Sequence, residues 1–178
     1  MSSALRIEVI KGKELSSDEQ KTIIAFCNRA FEEELEALFS TFADPTHVLG
    51  YLGGILVSHA LWVTRWLQAA KGPLMRTAYV EAVATEKPFR GLGYAAAIMK
   101  RVEEEIQSYD LGGLSPFSVA YYERLGWEHW CGPLYIRTGA GLIPTPNDEQ
   151  VMILRLAKTP ALDINVSLSA EWREGKLW

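Results

Sequence analysis

The sequence predicts a mixed α/β domain in which strands and amphipathic helices alternate. Three observations support this fold class: an apolar extended stretch at residues 77–85, a glycine turn directly after it, and an amphipathic helix that the turn opens. A short strand and a short helix come next. The chain has 178 residues, of which 48% are hydrophobic, enough for a full core. We therefore expect one domain over residues 1–178.

The first third of the chain is predicted to contain a strand, a helix and a hairpin. The strand is expected at residues 5–10. Ser16 and Glu19 then have the spacing of a capping box at a helix start. Apolar residues follow at helical spacing, namely Ile23, Ile24, Cys27, Phe31, Leu35 and Leu38. Strands at residues 48–52 and 55–66 meet at a Gly-Gly pair, which favours a hairpin.

The rest of the chain is predicted to complete the sheet around a second long helix. A strand at about residues 75–85 leads into the glycine turn. The apolar residues of the following helix share one face, namely Ala95, Ile98, Met99, Val102 and Ile106. A strand is expected at residues 111–114 and a short helix at residues 117–125. The other expected segments are a loop at residues 139–147, strands at 151–156 and 164–168, and a pair of strands at 127–130 and 134–137.

Composition and charge narrow the classes of function. The formal net charge of −4 argues against nucleic acid as a partner and is compatible with a cationic small substrate. No apolar run approaches the roughly 18 residues of a membrane span, and the first residues are too polar for a secretory signal. Cys27 and Cys131 fit a reduced protein, and neither they nor His47, His59 and His129 have metal-site spacing. We expect a cytoplasmic protein that uses no metal.

The glycine turn at residues 90–95, with the sequence Arg-Gly-Leu-Gly-Tyr-Ala, is the most informative segment. A helix start leaves several N–H groups unpaired, and the helix dipole adds to them, so the turn can cradle a pyrophosphate. Gly91 and Gly93 let the main chain approach the phosphates, and Arg90 can add a charge-assisted bond. Taken alone, however, such a turn is more often a plain connection between a strand and a helix.

A second motif follows about thirty residues later, at residues 122–127, with the sequence Tyr-Glu-Arg-Leu-Gly-Trp. Together with Arg90-x-x-Gly93-x-Ala95, it resembles the GNAT superfamily of N-acetyltransferases. In that family the first pattern binds the pyrophosphate of acetyl-CoA, and the second places a phenol beside the sulfur of CoA. The resemblance implies a GNAT fold, with a mixed, mostly antiparallel sheet splayed at its middle strands and helices on both faces.

Three further segments are similar to the aminoglycoside 2'-N-acetyltransferases. They are residues 79–84 (Tyr-Val-Glu-Ala-Val-Ala), residues 111–115 (Leu-Gly-Gly-Leu-Ser) and residues 171–178, which end in Trp-Arg-x-Gly-x-x-Trp. The similarity runs from about residue 30 to residue 178 and is weakest at residues 139–159. It implies acetyl-CoA as co-substrate, an aminoglycoside amine as acceptor and antibiotic resistance as the consequence. Enzymes of this kind are often homodimers.

Transfer of an acetyl group to an amine sets chemical demands that two side chains can meet. An ammonium cannot attack a thioester, so a base must remove its proton. Glu81 lies in a Val/Ala-rich strand, where its carboxylate can anchor the ammonium and accept the proton directly or through a water. Its alternative role is a structural ion pair, because a buried charge is costly unless it is paired. Tyr122 is the candidate acid for the departing thiolate, and its alternative role is a packed aromatic.

The resemblance also implies how the coenzyme is held. The main chain of Val83, Ala84 and Thr85 would pair with the pantetheine arm as a substitute strand. In this hypothesis the N–H group of Val83 also stabilises the developing oxyanion. The residues of the glycine turn would bind the pyrophosphate, namely Arg90, Gly91, Leu92, Gly93, Tyr94 and Ala95. Transfer is direct in this mechanism, which fits cysteines that lie outside every motif.

The acceptor site implied by the resemblance draws on several parts of the chain. The residues that it maps to substrate contacts are Glu34, Glu81, Ala82, Ser115, Lys176, Trp178 and either Asp148 or Glu149. Two of them have ordinary alternatives, Glu34 as part of a solvated helix end and Ser115 as the cap of the following helix. Trp62 and Trp66 are typical of a core or its rim, with stacking on a sugar ring as the alternative.

The end of the chain carries the sharpest expectation about the substrate. In the family, the terminal carboxylate of the final tryptophan meets the antibiotic, and we expect the same of Trp178. The family commonly has an acid two residues earlier, where this chain has Lys176. A lysine facing a polycation would be repulsive, so either Lys176 points outward or the substrate carries an acidic group. Kasugamycin, a 2'-amino aminoglycoside with a carboxyl group, is therefore expected ahead of tobramycin or gentamicin.

Two rival functions stay open. One is an acetyltransferase of the same superfamily that acts on a protein terminus or a metabolite amine, against which the terminal Trp-Arg-x-Gly-x-x-Trp signature argues. The other is an acetyl-CoA-binding module without catalysis. Such a module would have no need of Glu81 and Tyr122 at these positions.

Overall fold

The computed structural model describes residues 4–178, which form two compact units. The first unit comprises the chain up to Val63 together with Val80–Glu105, and the second comprises Thr64–Tyr79 and Ile106–Trp178. The long strands β3 (Ile55–Ala69) and β4 (Leu74–Thr85) contribute to both units. The expectation of one domain stays a prediction. No helix among residues 4–178 has the length and the apolar character needed to cross a membrane.

The first unit contains the predicted strand and hairpin. Strand β1 (Arg6–Lys11) pairs antiparallel with β2 (Thr46–Leu52), and β2 pairs antiparallel with β3. The turn between β2 and β3 is made by Gly53 and Gly54, whose φ angles of 55° and 87° suit glycine. The Gly-Gly signal in the sequence is therefore confirmed.

Helix α1 (Ser17–Phe31) begins at the predicted capping box, in which Ser16 and Glu19 each bond the other's main-chain N–H. It ends earlier than its apolar spacing suggested, so the expectation of one helical face reaching Leu38 was wrong. Glu32 has a left-handed φ of 58°, which stops the helix, and a short helix α2 (Glu36–Phe39) follows. Leu35 is buried all the same in the core of this unit, whereas Phe31 is 44% exposed.

Helix α3 (Tyr94–Glu105) begins directly after the glycine turn. Its buried residues are Ile98, Met99 and Val102, as the apolar spacing predicted, and Ile106 is buried just beyond its end. Ala95 is half-buried at the first turn. The helix start and the turn before it therefore stay at the surface of the unit.

The second unit is a mixed sheet with one short helix. Its elements are β5 (Leu111–Leu114), α4 (Val119–Glu123), β6 (Glu128–His129), β7 (Leu134–Thr138), β8 (Gly141–Pro144), β9 (Met152–Arg155) and β10 (Leu168–Glu171). With the parts of β3 and β4 in this unit, the strand order is β6-β9-β5-β4-β3-β10-β7-β8. Strand β10 runs parallel to β7, while the pairs β10–β3, β5–β9, β6–β9 and β7–β8 are antiparallel. The predicted mixed, mostly antiparallel sheet is confirmed.

Three local expectations for this unit were wrong. The segments at 127–130 and 134–137 do not pair with each other, because β6 pairs with β9 and β7 lies between β10 and β8. Part of the expected loop at 139–147 is strand β8, an edge strand whose four residues are all exposed. The last strand starts at Leu168 and not at Ile164, because Ile164 lies in a turn whose Asp163 side chain accepts bonds from Asn165.

Candidate active site

The glycine turn has the main-chain form that a phosphate cradle needs. Gly91 and Gly93 have φ angles of 75° and 83°, and a Cβ added to either would meet no atom within 4 Å. The first helical bond of α3 at this end runs from Ala97 N–H to the Gly93 carbonyl, at 3.0 Å. The N–H groups just before Ala97 are those that a helix start leaves without an intrahelical partner. The turn is open and glycine-lined, which fits the pyrophosphate predicted for it.

The Arg90 side chain fastens this turn to its surroundings. Its Nε donates to the Thr85 carbonyl at 2.9 Å, and its Nη2 donates to the Ala30 carbonyl at 2.7 Å. The guanidinium thus joins the end of β4 to the last turn of α1. Its charge-assisted bond to a phosphate stays a prediction.

Two ion pairs hold the segment between β4 and the glycine turn against the end of α1. The Arg29 Nε lies 2.7 Å from Glu86 Oε1, and the Lys87 Nζ lies 2.5 Å from Glu32 Oε1. The bond to Lys87 is the main cause that lowers the pKa of the Glu32 carboxyl. These pairs could not be predicted from local sequence patterns, because their partners are 57 and 55 residues apart.

Strand β4 has an irregular main-chain conformation at the residue after the predicted base. Ala82 has a φ of 51°, in the left-handed region that a residue with a Cβ seldom adopts. Glu81 beside it is buried, with 8% of its surface exposed. Val83 and Thr85 are half-buried and Ala84 is buried, and the Ala84 carbonyl accepts a bond from Ser58 Oγ at 3.2 Å. The main chain predicted to hold pantetheine thus begins with a turned peptide.

A buried imidazole contacts this turned peptide. His59 Nδ1 lies 2.8 Å from the Ala82 carbonyl oxygen, and its Nε2 lies 3.0 Å from His47 Nδ1. Desolvation lowers the pKa of His59 to about 3 and that of His47 to about 4, so both rings are neutral near pH 7. Cys27 Sγ is 3.6 Å from His59 Nδ1, and burial raises the pKa of this thiol to about 12. The sequence predicted a structural role for the two histidines and no metal site, and the burial of His59 in a strand agrees with that role.

In the second unit, Tyr122 lies on α4 with only 2% of its surface exposed. Its ring packs edge-on against Phe117, Tyr121 and Trp127, at centroid distances of 5.3, 5.1 and 6.3 Å. Burial, with a smaller contribution from Tyr121, raises the pKa of the phenol, which therefore stays protonated at neutral pH. The phenol thus has the protonation state that the predicted acid role requires.

The N-cap of α4 is Ser118 and not Ser115. Ser118 Oγ accepts from the Tyr121 N–H at 3.3 Å, so the alternative role considered for Ser115, as the helix cap, was wrong. Ser115 instead lies with its Oγ 3.1 Å from the Tyr79 hydroxyl. This contact leaves Ser115 with a polar neighbour at the end of β5, where a substrate contact was predicted.

The C-terminal segment is organised by Arg65, a role that was not predicted from the sequence. Arg65 is only 1% exposed; its Nη1 donates to the Leu177 carbonyl at 2.6 Å and its Nη2 to the Glu171 carbonyl at 2.7 Å. Its guanidinium carbon lies 5.1 Å from the ring centroid of Tyr79 and 5.8 Å from that of Trp178. The signal in the sequence was a lone arginine in a run of otherwise mostly apolar strand residues.

The final residues themselves divide into one buried and several exposed side chains. Trp178 is 1% exposed, and its Nε1 is a buried N–H without a partner among residues 4–178. Lys176 is exposed, and its carbonyl accepts from Arg173 Nε at 2.5 Å. The guanidinium carbon of Arg173 lies 5.5 Å from the ring centroid of Tyr79. Two arginines therefore face the same tyrosine ring near the end of the chain.

The other predicted contact residues lie at the surface. Glu34 is exposed in the turn between α1 and α2, which Asn28 braces through bonds to Leu35 N–H and Glu36 Oε1, both at 2.9 Å. Asp148 is exposed and Glu149 half-buried, in a turn closed by a bond from Glu149 N–H to the Pro146 carbonyl. Their substrate contacts stay predictions.

The two tryptophans of β3 differ in exposure. Trp62 is 6% exposed and belongs to the core, whereas Trp66 is 44% exposed. Stacking on a sugar ring is therefore open only to Trp66. It stays a prediction for that residue.

Residues 11–130 match the family profile of the acetyltransferase (GNAT) domain. The chain belongs to the GNAT family of N-acetyltransferases, and the predicted family and enzyme class are thereby confirmed. The aminoglycoside 2'-N-acetyltransferase of Mycolicibacterium fortuitum is 35% identical to it over an alignment of 158 residues, and the match covers 82% of this chain and 80% of that protein.

Solved structures agree on the fold. YhbS, a GNAT family N-acetyltransferase of Escherichia coli solved in complex with CoA, has a TM-score of 0.65 at 18% identity, over 98% of this chain and 93% of that one. A conserved protein of Enterococcus faecalis V583 has a TM-score of 0.58 at 23% identity over 70% of this chain. This chain spans only 33% of the length of the Enterococcus protein. At such identities the likeness concerns the fold alone.

Proposed function

We propose that the protein transfers the acetyl group of acetyl-CoA directly to the 2'-amine of an aminoglycoside, and that this confers resistance to the antibiotic. The main support is that one unit contains two main-chain features: the open turn at Gly91 and Gly93, and the turned peptide after Ala82. The first suits a pyrophosphate, and the second suits a developing oxyanion. The similarity to the Mycolicibacterium enzyme supports the acceptor.

Glu81 prepares the amine in this proposal. Its carboxylate attracts the substrate ammonium and takes its proton, directly or through a water, so that the free amine can attack the thioester carbonyl. The burial of Glu81 favours this role, because a carboxylate shielded from water interacts more strongly with a nearby cation. The acceptor amine then forms the C–N bond as the carbonyl oxygen gains negative charge.

Two groups stabilise the negative charges that develop next: the N–H of Val83 acts on the oxyanion, and the phenol of Tyr122 acts on the departing thiolate. The Val83 N–H donates to the oxyanion of the tetrahedral intermediate. When the C–S bond breaks, Tyr122 gives its proton to the departing thiolate, and the phenolate is reprotonated from solvent. The attacking nitrogen loses a second proton to solvent as the amide forms, and the proton held by Glu81 also returns to solvent. CoA leaves as a thiol, so the two protons lost by the ammonium and the one gained by the sulfur leave one proton released overall.

We propose kasugamycin as the preferred acceptor, ahead of tobramycin-like substrates. Lys176 and Arg173 near the end of the chain are cations, and the Lys176 side chain is exposed. A substrate with a carboxylate gains from such cations, whereas a purely cationic one is repelled. Glu34, Ser115, Asp148 or Glu149, and the Trp178 carboxylate are the further contacts that we propose. The reduced state of both cysteines supports a cytoplasmic location.

The test is a thiol-release assay with acetyl-CoA and a panel of kasugamycin, tobramycin and gentamicin, with NMR of the product to locate the acetyl group. We expect release with kasugamycin and acetylation at its 2'-nitrogen. Strong activity on tobramycin with none on kasugamycin would reverse the order of substrates. Silence on every aminoglycoside with CoA still bound would favour another amine acceptor or a binding module without catalysis.

A further inference from the structure

The buried imidazoles of His47 and His59 take no part in the chemistry proposed above, yet they adjoin it. Both are buried, with exposed fractions of 4% and 0%. They form a chain of short contacts that ends on the Ala82 carbonyl, the residue after the proposed base. His47 at the outer end lines a cavity of about 460 Å³ together with residues of α1 and α2. A buried polar chain of this kind needs a reason, because each polar group in it must be hydrogen-bonded.

The contacts fix the positions of the hydrogens. A carbonyl oxygen only accepts, so His59 must carry its proton on Nδ1 to make the 2.8 Å contact with Ala82. In a neutral ring Nε2 is then an acceptor, and His47 must donate to it from its own Nδ1 at 3.0 Å. The thiol of Cys27, at 3.6 Å from His59 Nδ1, is the weaker neighbour of the same nitrogen. The direction of donation is therefore from His47 to His59 to the carbonyl.

The carbonyl that receives this bond belongs to the same peptide unit as the Val83 N–H. Residues 4–178 contain no cis peptide bond, and in a trans peptide the C=O and N–H point in opposite directions. A bond that fixes the Ala82 carbonyl toward His59 therefore fixes the Val83 N–H toward the opposite side. The left-handed φ of 51° at Ala82 is disfavoured for alanine, so this orientation needs support from its surroundings.

We infer that His59, braced by His47, is a positioning residue that holds the peptide between Ala82 and Val83 turned, so that its N–H is aimed at the oxyanion of the acetyl-transfer reaction. Neither imidazole touches substrate. The inference rests on the proposed function, in which the Val83 N–H is the oxyanion donor. The inference adds that the bond from His59 to the Ala82 carbonyl is what aligns the Val83 N–H. Alignment matters because a misdirected donor loses most of its effect on the transition state.

The decisive comparison is between His59→Asn and His59→Leu. The Asn amide nitrogen can occupy the place of Nδ1 and keep the donor to Ala82, whereas Leu fills a similar volume without any donor. We expect His59→Leu to lower kcat by about tenfold or more and His59→Asn to keep kcat within about threefold of the unaltered protein. KM for acetyl-CoA should change by less than about threefold in both, because the pyrophosphate turn is untouched.

A parallel pair at His47 tests the brace. His47→Asn keeps a donor to His59 Nε2 and should be nearly neutral, while His47→Leu should lower kcat by about threefold. Equal kcat in His59→Leu and the unaltered protein would overturn the inference while leaving acetyl transfer intact. Absence of acetyl transfer in the unaltered protein would instead refute the proposed function.

NMR of the unaltered protein gives a readout that does not depend on activity. Long-range nitrogen–proton correlations should show His59 protonated on Nδ1 and bare on Nε2. The Val83 amide resonance should shift in His59→Leu and stay close to its original position in His59→Asn. A His59 protonated on Nε2 in the unaltered protein would contradict the inference even if His59→Leu failed to fold. A Val83 amide resonance that does not shift in either variant would also contradict it.

Discussion

The glycine turn at residues 90–95 and the C-terminal segment are built in opposite ways. At Gly91 and Gly93 the groups available for binding are main-chain N–H groups, and the predicted role requires that these positions carry no side chain. Near Trp178 the main chain is held by one buried side chain, Arg65, which donates hydrogen bonds to the carbonyls of Glu171 and Leu177. A main-chain site tolerates sequence change around it, whereas a site that depends on one guanidinium does not. We therefore expect coenzyme binding to be robust and acceptor recognition to be fragile.

Replacing Arg65 should have the largest effect on this contrast. Arg65→Met removes the donor of two partly buried bonds, those to the carbonyls of Glu171 and Leu177, so the free energy of unfolding should fall by about 3 kcal/mol. KM for the aminoglycoside should rise while KM for acetyl-CoA stays unchanged. Urea unfolding and steady-state kinetics measure both quantities.

Arg137→Met is the matched control for Arg65. The Arg137 side chain also donates to main-chain carbonyls, those of Ser169 and Trp66, but it makes no side-chain bond to Glu171 or Leu177. It should lower stability without raising the acceptor KM. If Arg137→Met raised the acceptor KM as much as Arg65→Met, the guanidinium of Arg65 would have no special role.

Tyr122 sharpens the comparison because it is a side chain expected to act on the coenzyme and not on the acceptor. Tyr122→Phe should lower kcat by about tenfold to a hundredfold with little change in CoA affinity. Single-turnover kinetics and CoA titration separate the two effects. Tyr121→Phe, in the same helix, should leave kcat unchanged, and unchanged turnover in Tyr122→Phe would remove its proposed role.

The glycine turn can be broken by giving it a side chain. Gly93→Val forces a β-branched residue to a φ of 83°, which costs about 1–2 kcal/mol and should raise KM for acetyl-CoA by about tenfold. Gly54→Val, at a φ of 87° in the β2–β3 turn, imposes the same strain elsewhere and should leave that KM alone. Leu92→Ala should be neutral, since this side chain is 60% exposed. A tenfold effect of Leu92→Ala would show that the turn binds through side chains.

The smallest expected effect is a shift in substrate preference. Lys176→Glu should raise KM for kasugamycin, which carries a carboxylate, and lower KM for tobramycin, which does not. Both changes should be no more than severalfold, because an exposed charge contributes less than about 1 kcal/mol. Lys100→Glu makes the same change of charge on the exposed face of α3 and should alter neither value. Identical changes in both variants would point to net charge alone.

Local signals predicted much of the fold. Strand β5 matches its expected bounds, and the capping box at Ser16 and the glycine turn before α3 lie where their residues required them. Each is decided by neighbours in sequence, such as a cap three residues from its partner or a glycine that permits positive φ. The family motifs added the candidate site in the same way, through short patterns.

The features that could not be predicted are those that depend on distant partners. Glu32 and Ala82 adopt left-handed φ angles of 58° and 51° although neither residue type favours them, so tertiary contacts decide both. His59 and Ala82 are 23 residues apart, and Arg65 and Leu177 are 112 apart. Strand β8 exists because β7 offers it an edge, since its own residues lack a buried face.

The unequal environments of the two cysteines make the molecule convenient to label. Cys27 is fully buried, and its raised pKa keeps the sulfur protonated and therefore unreactive, whereas Cys131 is exposed. A maleimide dye or a nitroxide should therefore attach at Cys131 alone in the native protein. One reporter group could then follow binding of the proposed aminoglycoside substrate by fluorescence or electron paramagnetic resonance, with no cysteine to be engineered in or out.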